Sequence, residues 1–434
     1  MISFFVSLKG KVPTYFYNMS KRRKKNTKAD TKSFEELSLK PYFPLEGALR
    51  AAHEHAFWST QDVENVANAS LHIIELIDKL TLDGLPPAHI RSEPYDLPAT
   101  LQWCEIDTAQ FGEVHDLLQS HYVGSDDGGW IMHYSVEHLQ WAMCGSDTFF
   151  RLGVRVVAGG QLVGFIAAIP RMMGIYDRKV KMVEINFLCL RNDLRSAGLA
   201  PLLIQEITRR VKIRNRWQGA IYTTGTVLPH VMASATCYHR ILSVKKMVDI
   251  GFFEKHQRLS MKGIMKLYRL PDTTSIQGLR PMRRRDDGAV AQLLNAFLVP
   301  YHLRYYFSKA NVGKQFRGPQ DVVFSYVVEN ADGQITDFIS FYRIEMLVKS
   351  GGTFHAAYSL YNVASSVSWS ELMRDALVLA RDAGCDVFNC TDVMENASFI
   401  SDLKFHLGTG RLQYYLYNWR APPTRASGIG IVMT

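Results

Sequence analysis

The chain has 434 residues, 47% of them hydrophobic, with Lys plus Arg 50 against Asp plus Glu 41 and a net charge of +9. That length and apolar share supply a sizeable core, in two domains of ordinary size or one large duplicated one. No apolar run reaches about 18 residues, which excludes a membrane-spanning helix, and the mild positive balance favours anionic partners such as CoA, nucleic acid or a membrane surface without choosing among them. Residues 1–40 read as a tail, and its run "KRRKKNTK" is either a solvated arm or a docking point for ribosomal RNA or acidic lipid. The apolar start "MISFFVSL" lacks the charged beginning and small-residue cleavage site of a signal peptide. "VHDLLQSHYV", from Val114, reads as a helix, and "VVAGGQLVGFIAAI", from Val156, as strand, glycine turn, strand. The apolar run "MVEINFLCL", from Met182, then feeds the turn "LRSAGLA" and a helix. In that helix Leu202, Leu203, Ile207 and Val211 fall on one face, and Glu206, Arg209 and Arg210 elsewhere. Pro201 suits its first turn.

The second half echoes the first. Aligning Gln161 with Gln334 in "VVENADGQITDFISFY" gives an offset of 173, and "VAQLLNAFLV" follows "VHDLLQSHYV" at 176. "ELMRDALVLARD", from Glu371, falls near the counterpart of "PLLIQEITRRVK". Three elements at nearly one offset predict a duplicated α/β unit with halves of roughly 170 residues. The joint is "RLPDTTSIQGLRP", residues 269–281, rich in Pro, Gly, Ser and Thr. The six cysteines (Cys104, Cys144, Cys189, Cys237, Cys385 and Cys390) show no C-x-x-C spacing. They read as reduced core residues, which fits a cytosolic home. No zinc spacing and no Ser-His-Asp or Cys-His nucleophile pattern is apparent.

The segment Arg195-Ser196-Ala197-Gly198-Leu199-Ala200 fits R-x-x-G-x-A. Free N–H groups at a helix start, the helix dipole and a glycine permitting close approach together suit a diphosphate. Arg195 can add a charged donor. The pattern resembles the acyl-CoA pyrophosphate loop of the GNAT acyltransferase superfamily, although an ordinary strand–turn–helix fits the six residues as well. Its flanks narrow the resemblance. "FWSTQDV", "EPYDLP", "HYVGSDD", "GVRVV", "EINFLCL", "IYTTGTVLP", "KLYRLP", "TDFISFY", "DVFN", "LQYYLYNW" and "GIGIVMT" are similar, in order, to motifs of the N-myristoyltransferases, the glycylpeptide N-tetradecanoyltransferases, over residues 41–434.

The resemblance implies an α/β (α+β) fold of two GNAT-like halves related by a pseudo-twofold around a continuous saddle-shaped sheet. Residues 41–270 would bind myristoyl-CoA as co-substrate, and residues 271–434 would form most of the peptide groove, behind a basic arm of residues 1–40. No metal and no prosthetic group is implied. The reaction is acyl transfer to an N-terminal glycine amine. Its oxyanion donors fall on the backbone N–H groups of Phe187 and Leu188, which a β-bulge would free; "INFLCL" reads equally as a buried strand. The base is the carboxylate of Thr434, at an apolar end that by itself reads as an edge strand. Asn186 and Thr223 match positions that hold and relay protons at the amine. CoA contacts carry onto Phe57, Trp58, Gln61, Leu190 and the loop Arg195, Ser196, Ala197, Gly198, Leu199 and Ala200. Tyr122, Trp130, His239, Tyr342, Tyr358 and Asn389 map to the groove, although aromatic residues are also ordinary core.

The chain departs from the family in places. Ala197-Gly198 replace a Lys-Arg pair, and Thr236-Cys237 stand where the family has Arg and Tyr before the retained His239-Arg240. The acidic run after Val123 thins to Gly124-Ser125-Asp126-Asp127, and the family's G-D-G becomes Gly408-Thr409-Gly410. Fewer carboxylates weaken selection for a downstream Lys in the peptide. Two other readings stand beside the enzyme. One is a weakly catalytic homologue that sequesters acyl-CoA or glycine N-termini; the other, resting only on the basic arm and net charge, is a nucleic-acid binder.

Overall fold

The computed structural model describes residues 91–122, 129–143, 150–214, 219–254 and 260–434. The arm of residues 1–40, the expected CoA contacts Phe57, Trp58 and Gln61, the run Gly124 to Asp127 and Cys144 lie outside the described residues.

The first half runs β1 (Leu101–Glu105), α1 (Phe111–His121), β2 (Trp130–His133), α2 (Val136–Ala142), β3 (Phe150–Val156), β4 (Leu162–Ile175), β5 (Arg178–Leu190), α3 (Leu199–Ile213), β6 (Gly219–Thr224) and β7 (Ala233–Ile241). Two short helices, α4 (Val244–Asp249) and α5 (Met261–Leu267), lead to the joint. The second half runs β8 (Leu279–Pro281), α6 (Asp287–Leu298), β9 (Leu303–Tyr305), α7 (Lys309–Phe316), β10 (Val323–Glu329), β11 (Ile335–Val348), β12 (Thr353–Ser359), α8 (Trp369–Asp382), β13 (Val387–Thr391), α9 (Ala397–Ile400), β14 (His406–Tyr417) and β15 (Ile429–Gly430). The repeat expected from the offsets is present in space. Helix α1, hairpin β3–β4, strand β5, helix α3 and parallel strand β6 recur as α6, β10–β11, β12, α8 and β13. Helix α1 starts three residues earlier than the apolar spacing suggested, because Phe111, itself buried, extends its inward face.

Among the described residues one open 15-stranded sheet carries both halves: twelve strands run in the order β1-β3-β4-β5-β6-β14-β7-β13-β12-β11-β10-β8, while β2 pairs with β11 and β9 joins β4 to β15. Strand β14 of the second half thus lies between β6 and β7 of the first, antiparallel to both. Helix α3 covers one face of the first half through Leu199, Leu203, Ile207 and Val211. Helix α8 does the same in the second through Leu372, Met373, Ala376, Leu377 and Ala380. Leu202 is only partly buried, because the helix presents its neighbour Leu203 to the sheet. Cys189, Cys237, Cys385 and Cys390 are buried, Cys104 is half-buried, and all five are free thiols.

Gly278, in the joint, has φ +76°, and a Cβ there would lie 2.1 Å from the Glu329 carbonyl oxygen. Its own carbonyl accepts the Glu329 N–H at 3.0 Å. Gly278→Ala should therefore destabilise the protein by more than the about 1–2 kcal/mol of a left-handed backbone alone. A lowered midpoint in chemical denaturation is the expected result, and an unchanged midpoint would show that the joint can relax.

Candidate active site

Strands β4 and β5 are antiparallel, with Phe165 opposite Cys189 but Ala167 opposite Asn186. Phe187 and Leu188 therefore share the single partner position Ile166, which makes a β-bulge. Phe187 takes φ 56°, rare for a bulky side chain. Its ring is wholly buried and packs against Tyr122 at 6.1 Å and Tyr134 at 5.7 Å between centroids. That packing holds the strained backbone. Bulged residues leave the ladder, so the bulge is a place where strand N–H groups can face a ligand.

Beside it lies a buried polar group. Asn186 is fully buried; its Nδ2 donates to Glu184 Oε1 at 2.8 Å and to the main-chain oxygen of Thr434 at 3.1 Å. Among the described residues its buried Oδ1 has no partner, and neither has the buried Oγ1 of Thr223. Strands β5 and β6 are parallel, with Glu184 opposite Ile221 at the last pair of their ladder, and Asn186 and Thr223 each follow two residues further along their strands. The sequence dictates why Thr434 is inside. Ile429, Ile431 and Met433 are buried, and β15 pairs with β9. Two buried tyrosines tie the segment down: Tyr414 donates to the Ile431 carbonyl at 3.1 Å, and Tyr361 accepts the Val432 N–H at 3.1 Å. Thr434 is 4% exposed.

Past Leu190, at the buried end of β5, the chain turns through residues 191–198 into α3. Gly198 has φ 73° and stands before Leu199 with no side-chain cap, and a Cβ there would meet nothing within 4 Å. The helix therefore begins with uncapped N–H groups on Leu199 and Ala200, and the glycine is needed for backbone angle rather than space. The Arg195 guanidinium donates to the His121 carbonyl, with a longer bond to that of Leu190 at 3.5 Å. It thus anchors the turn to helix α1, a role its sequence position did not disclose. Ser196 and Ala197 complete the turn, where the Ala197 N–H bonds the Leu194 carbonyl at 3.1 Å.

The expected groove residues form a row across four neighbouring strands. Tyr342 on β11 stands opposite Tyr358 on β12, Tyr358 opposite Asn389 on β13, and Asn389 opposite His239 on β7. The two tyrosine rings stack at 5.2 Å. His239 Nδ1 lies 2.6 Å from Asn389 Oδ1, and an Nδ1–H tautomer satisfies both. Burial lowers the His239 pKa despite that bond, so its imidazole is neutral at ordinary pH. Trp130 joins through Phe252, centroids 4.9 Å apart, which in turn meets His239 at 5.6 Å. Tyr122 sits apart from the row, against Phe187. At Gly408 the pairing of β14 with β7 shifts register, and a Cβ on Gly408 would fall 2.4 Å from His239 Nε2. No side chain fits there without moving the imidazole. Thr409 and Arg411 beside it are exposed. Sequence reading passed over Glu184, Arg171, Tyr305 and Phe252. Glu184 did leave a signal, since it and Asn186 are polar residues two apart on one face of an otherwise apolar strand. Among the described residues no group of three or more His, Cys, Asp or Glu side chains could hold a metal ion, and no helix is long and apolar enough to cross a membrane.

A duplicated α/β unit with a bulged central strand, a glycine turn and an uncapped helix start defines a GNAT-like acyltransferase. Family models describe the particular kind. That for the N-terminal domain of myristoyl-CoA:protein N-myristoyltransferase matches residues 82–237, and that for its C-terminal domain matches residues 249–431. Glycylpeptide N-tetradecanoyltransferase 2 of Bos taurus is 41% identical over 394 residues, covering 88% of this chain and 77% of its own length. The glycylpeptide N-tetradecanoyltransferase of Plasmodium falciparum is 38% identical, covering 88% and 93%. The crystal structure of Saccharomyces cerevisiae N-myristoyltransferase with bound myristoyl-CoA matches with a TM-score of 0.80 at 32% identity, over 88% of this chain and 99% of that one. The chain belongs to the myristoyl-CoA:protein N-myristoyltransferase family, a family of acyltransferases.

Proposed function

We propose that this protein transfers myristate from myristoyl-CoA to the N-terminal glycine amine of peptides and proteins. One observation carries the reading. Three buried polar groups lie on the elements beside the bulge: Asn186 and Thr223, whose Oδ1 and Oγ1 have no partner among the described residues, and the Thr434 carboxylate, which Asn186 Nδ2 touches. An ammonium has three N–H donors, so the set suits a glycine N-terminus. A free α-amine has a pKa of about 7.7–8.0, so a modest base suffices. The Thr434 carboxylate takes the proton, and the amine attacks the thioester carbonyl. The oxyanion forms against the N–H groups of Phe187 and Leu188. The tetrahedral centre then collapses: the C–S bond breaks, and the proton that the attacking nitrogen sheds in becoming an amide goes to the sulfur, so CoA leaves as the thiol. The turn from Arg195 to Ala200, with Leu190, receives the pyrophosphate end of CoA at the start of α3. Residues 41–270 hold the acyl-CoA, with Phe57, Trp58 and Gln61 on its nucleotide side. Residues 271–434, with Tyr122, Trp130 and His239, form the peptide groove. The protein acts in the cytosol, where its basic arm offers a contact for ribosomal RNA or acidic lipid.

Single-turnover transfer from myristoyl-CoA to two octapeptides beginning with Gly tests this reading. One carries Lys at its seventh position and the other a neutral residue. Transfer to either is the expected result; acyl-CoA binding with transfer to neither, across a panel of Gly peptides, would leave a sequestering homologue. With Thr409 in the groove where an acid is expected, the two rates should agree within about fivefold, the scale of one exposed ion pair. A strong preference for the Lys peptide would refute the relaxed specificity and leave the enzyme.

A further inference from the structure

Behind Asn186 lies a second buried charge cluster. Glu184, fully buried on β5, accepts Arg171 Nε at 2.7 Å and the Tyr305 hydroxyl at 2.9 Å on one oxygen, and Asn186 Nδ2 at 2.8 Å on the other. These partners come from three strands, β4, β9 and β5. We propose that Glu184, clamped by Arg171 and Tyr305, is a positioning residue that fixes the Asn186 amide so that its Oδ1 faces the substrate amine. The proposal rests on the assignment of Asn186 to the amine site.

The hydrogen-bond inventory of an amide carries it. Asn186 has one NH2 group and one oxygen. Its NH2 already meets two oxygens, of Glu184 and of Thr434. Rotating the amide by half a turn would set Oδ1 against both, three acceptors with no proton among them. The observed orientation is thus dictated by Glu184 and Thr434 together, and it leaves Oδ1 buried, partnerless and directed elsewhere. A lone buried carboxylate would be costly and prone to take a proton. Arg171 answers that cost. Burial alone would lower its pKa, but the Glu184 charge more than reverses this, so the guanidinium stays charged. Burial, and next Glu184, push the Tyr305 phenol well above its ordinary value, so it remains an O–H donor. The other titratable groups that feel Glu184 are the buried phenols of Tyr361 and Tyr414, and its neighbour across the Asn186 amide is Thr434. Arg171 thus pairs with Glu184, and the Thr434 carboxylate stands across the Asn186 amide from that pair.

Four variants in single-turnover transfer test this, each with myristoyl-CoA affinity measured as a check on folding. Glu184→Gln should slow transfer at saturating peptide by about 10- to 100-fold, the range for losing a hydrogen bond to a charged group. The pH profiles should separate a positioning role from a merely structural one. Removing the anion in Glu184→Gln makes the remaining carboxylate easier to ionise and moves the acid limb to lower pH. Removing the cation in Arg171→Met makes the carboxylate pair take a proton sooner and moves that limb to higher pH. Arg171→Lys, which keeps the charge, should restore the original profile. Unshifted profiles and full rates in both variants, with Asn186→Ala still impaired, would overturn this inference alone. Full activity in Asn186→Ala would overturn the assignment of the amine site as well.

Discussion

A chain lengthened by one alanine after Thr434 should bind myristoyl-CoA normally and transfer the acyl group about 10²- to 10⁴-fold more slowly, the usual contribution of a positioned base. Extension turns the Thr434 carboxylate into a neutral amide carbonyl. That carbonyl can still accept from Asn186 Nδ2, now 3.1 Å away, but it cannot take a proton from an ammonium. Space adds to the effect. Thr434 is 4% exposed and Met433 3%, so an added residue must displace the chain end that Tyr361 and Tyr414 hold. Single-turnover transfer with a Gly peptide, beside acyl-CoA titration, checks both halves of the result. Undiminished transfer by the extended chain would remove Thr434 from the chemistry.

Thr223→Val should separate activity from stability. The Thr223 hydroxyl is buried and has no partner among the described residues. A buried polar group without a hydrogen bond costs about 1–3 kcal/mol. Valine keeps the shape and removes that cost, so the free protein should melt no lower than wild type, and higher if no water serves the hydroxyl. The same change removes one of three acceptors for the ammonium, and transfer should fall by about 10- to 100-fold, the worth of a hydrogen bond to a charged group. Calorimetry and single-turnover rates on one preparation give both signs. A variant that melts lower with its rate intact would make Thr223 an ordinary core residue.

Much of this architecture was legible because it is local. Hairpins, helix faces and the glycine turn depend on residues close in sequence, and a duplicated pattern shows each of them twice. The insertion of β14 between β6 and β7 left no trace in local pattern, since pairing partners such as Thr223 and Tyr414 are far apart in the chain. The bulge was hidden for a different reason. "INFLCL" has the composition of a buried strand, and only the resemblance singled out Phe187 and Leu188. Asn186 and Thr434 were legible in the same way, but the clamp behind them was not: Tyr305 lies 121 positions from Glu184 and reads as an unremarked aromatic in a short connecting segment.

The interleaved sheet also governs how the chain can reach its native state. Strands β6 and β7 follow one another closely, yet their inner edges pair with β14 and not with each other. Until the second half arrives, β6 has one edge unpaired and β7, whose partners are β14 and β13, has both, open to any strand that can add to them. Pairings so distant in sequence make folding slow, and the exposed period ends only when the second half closes the gap. A fragment cut at the joint would keep those edges permanently, so the halves should not fold as independent units despite their shared ancestry of pattern. Pulse-labelling hydrogen exchange would show the amides of β6 and β7 becoming protected together with those of β14.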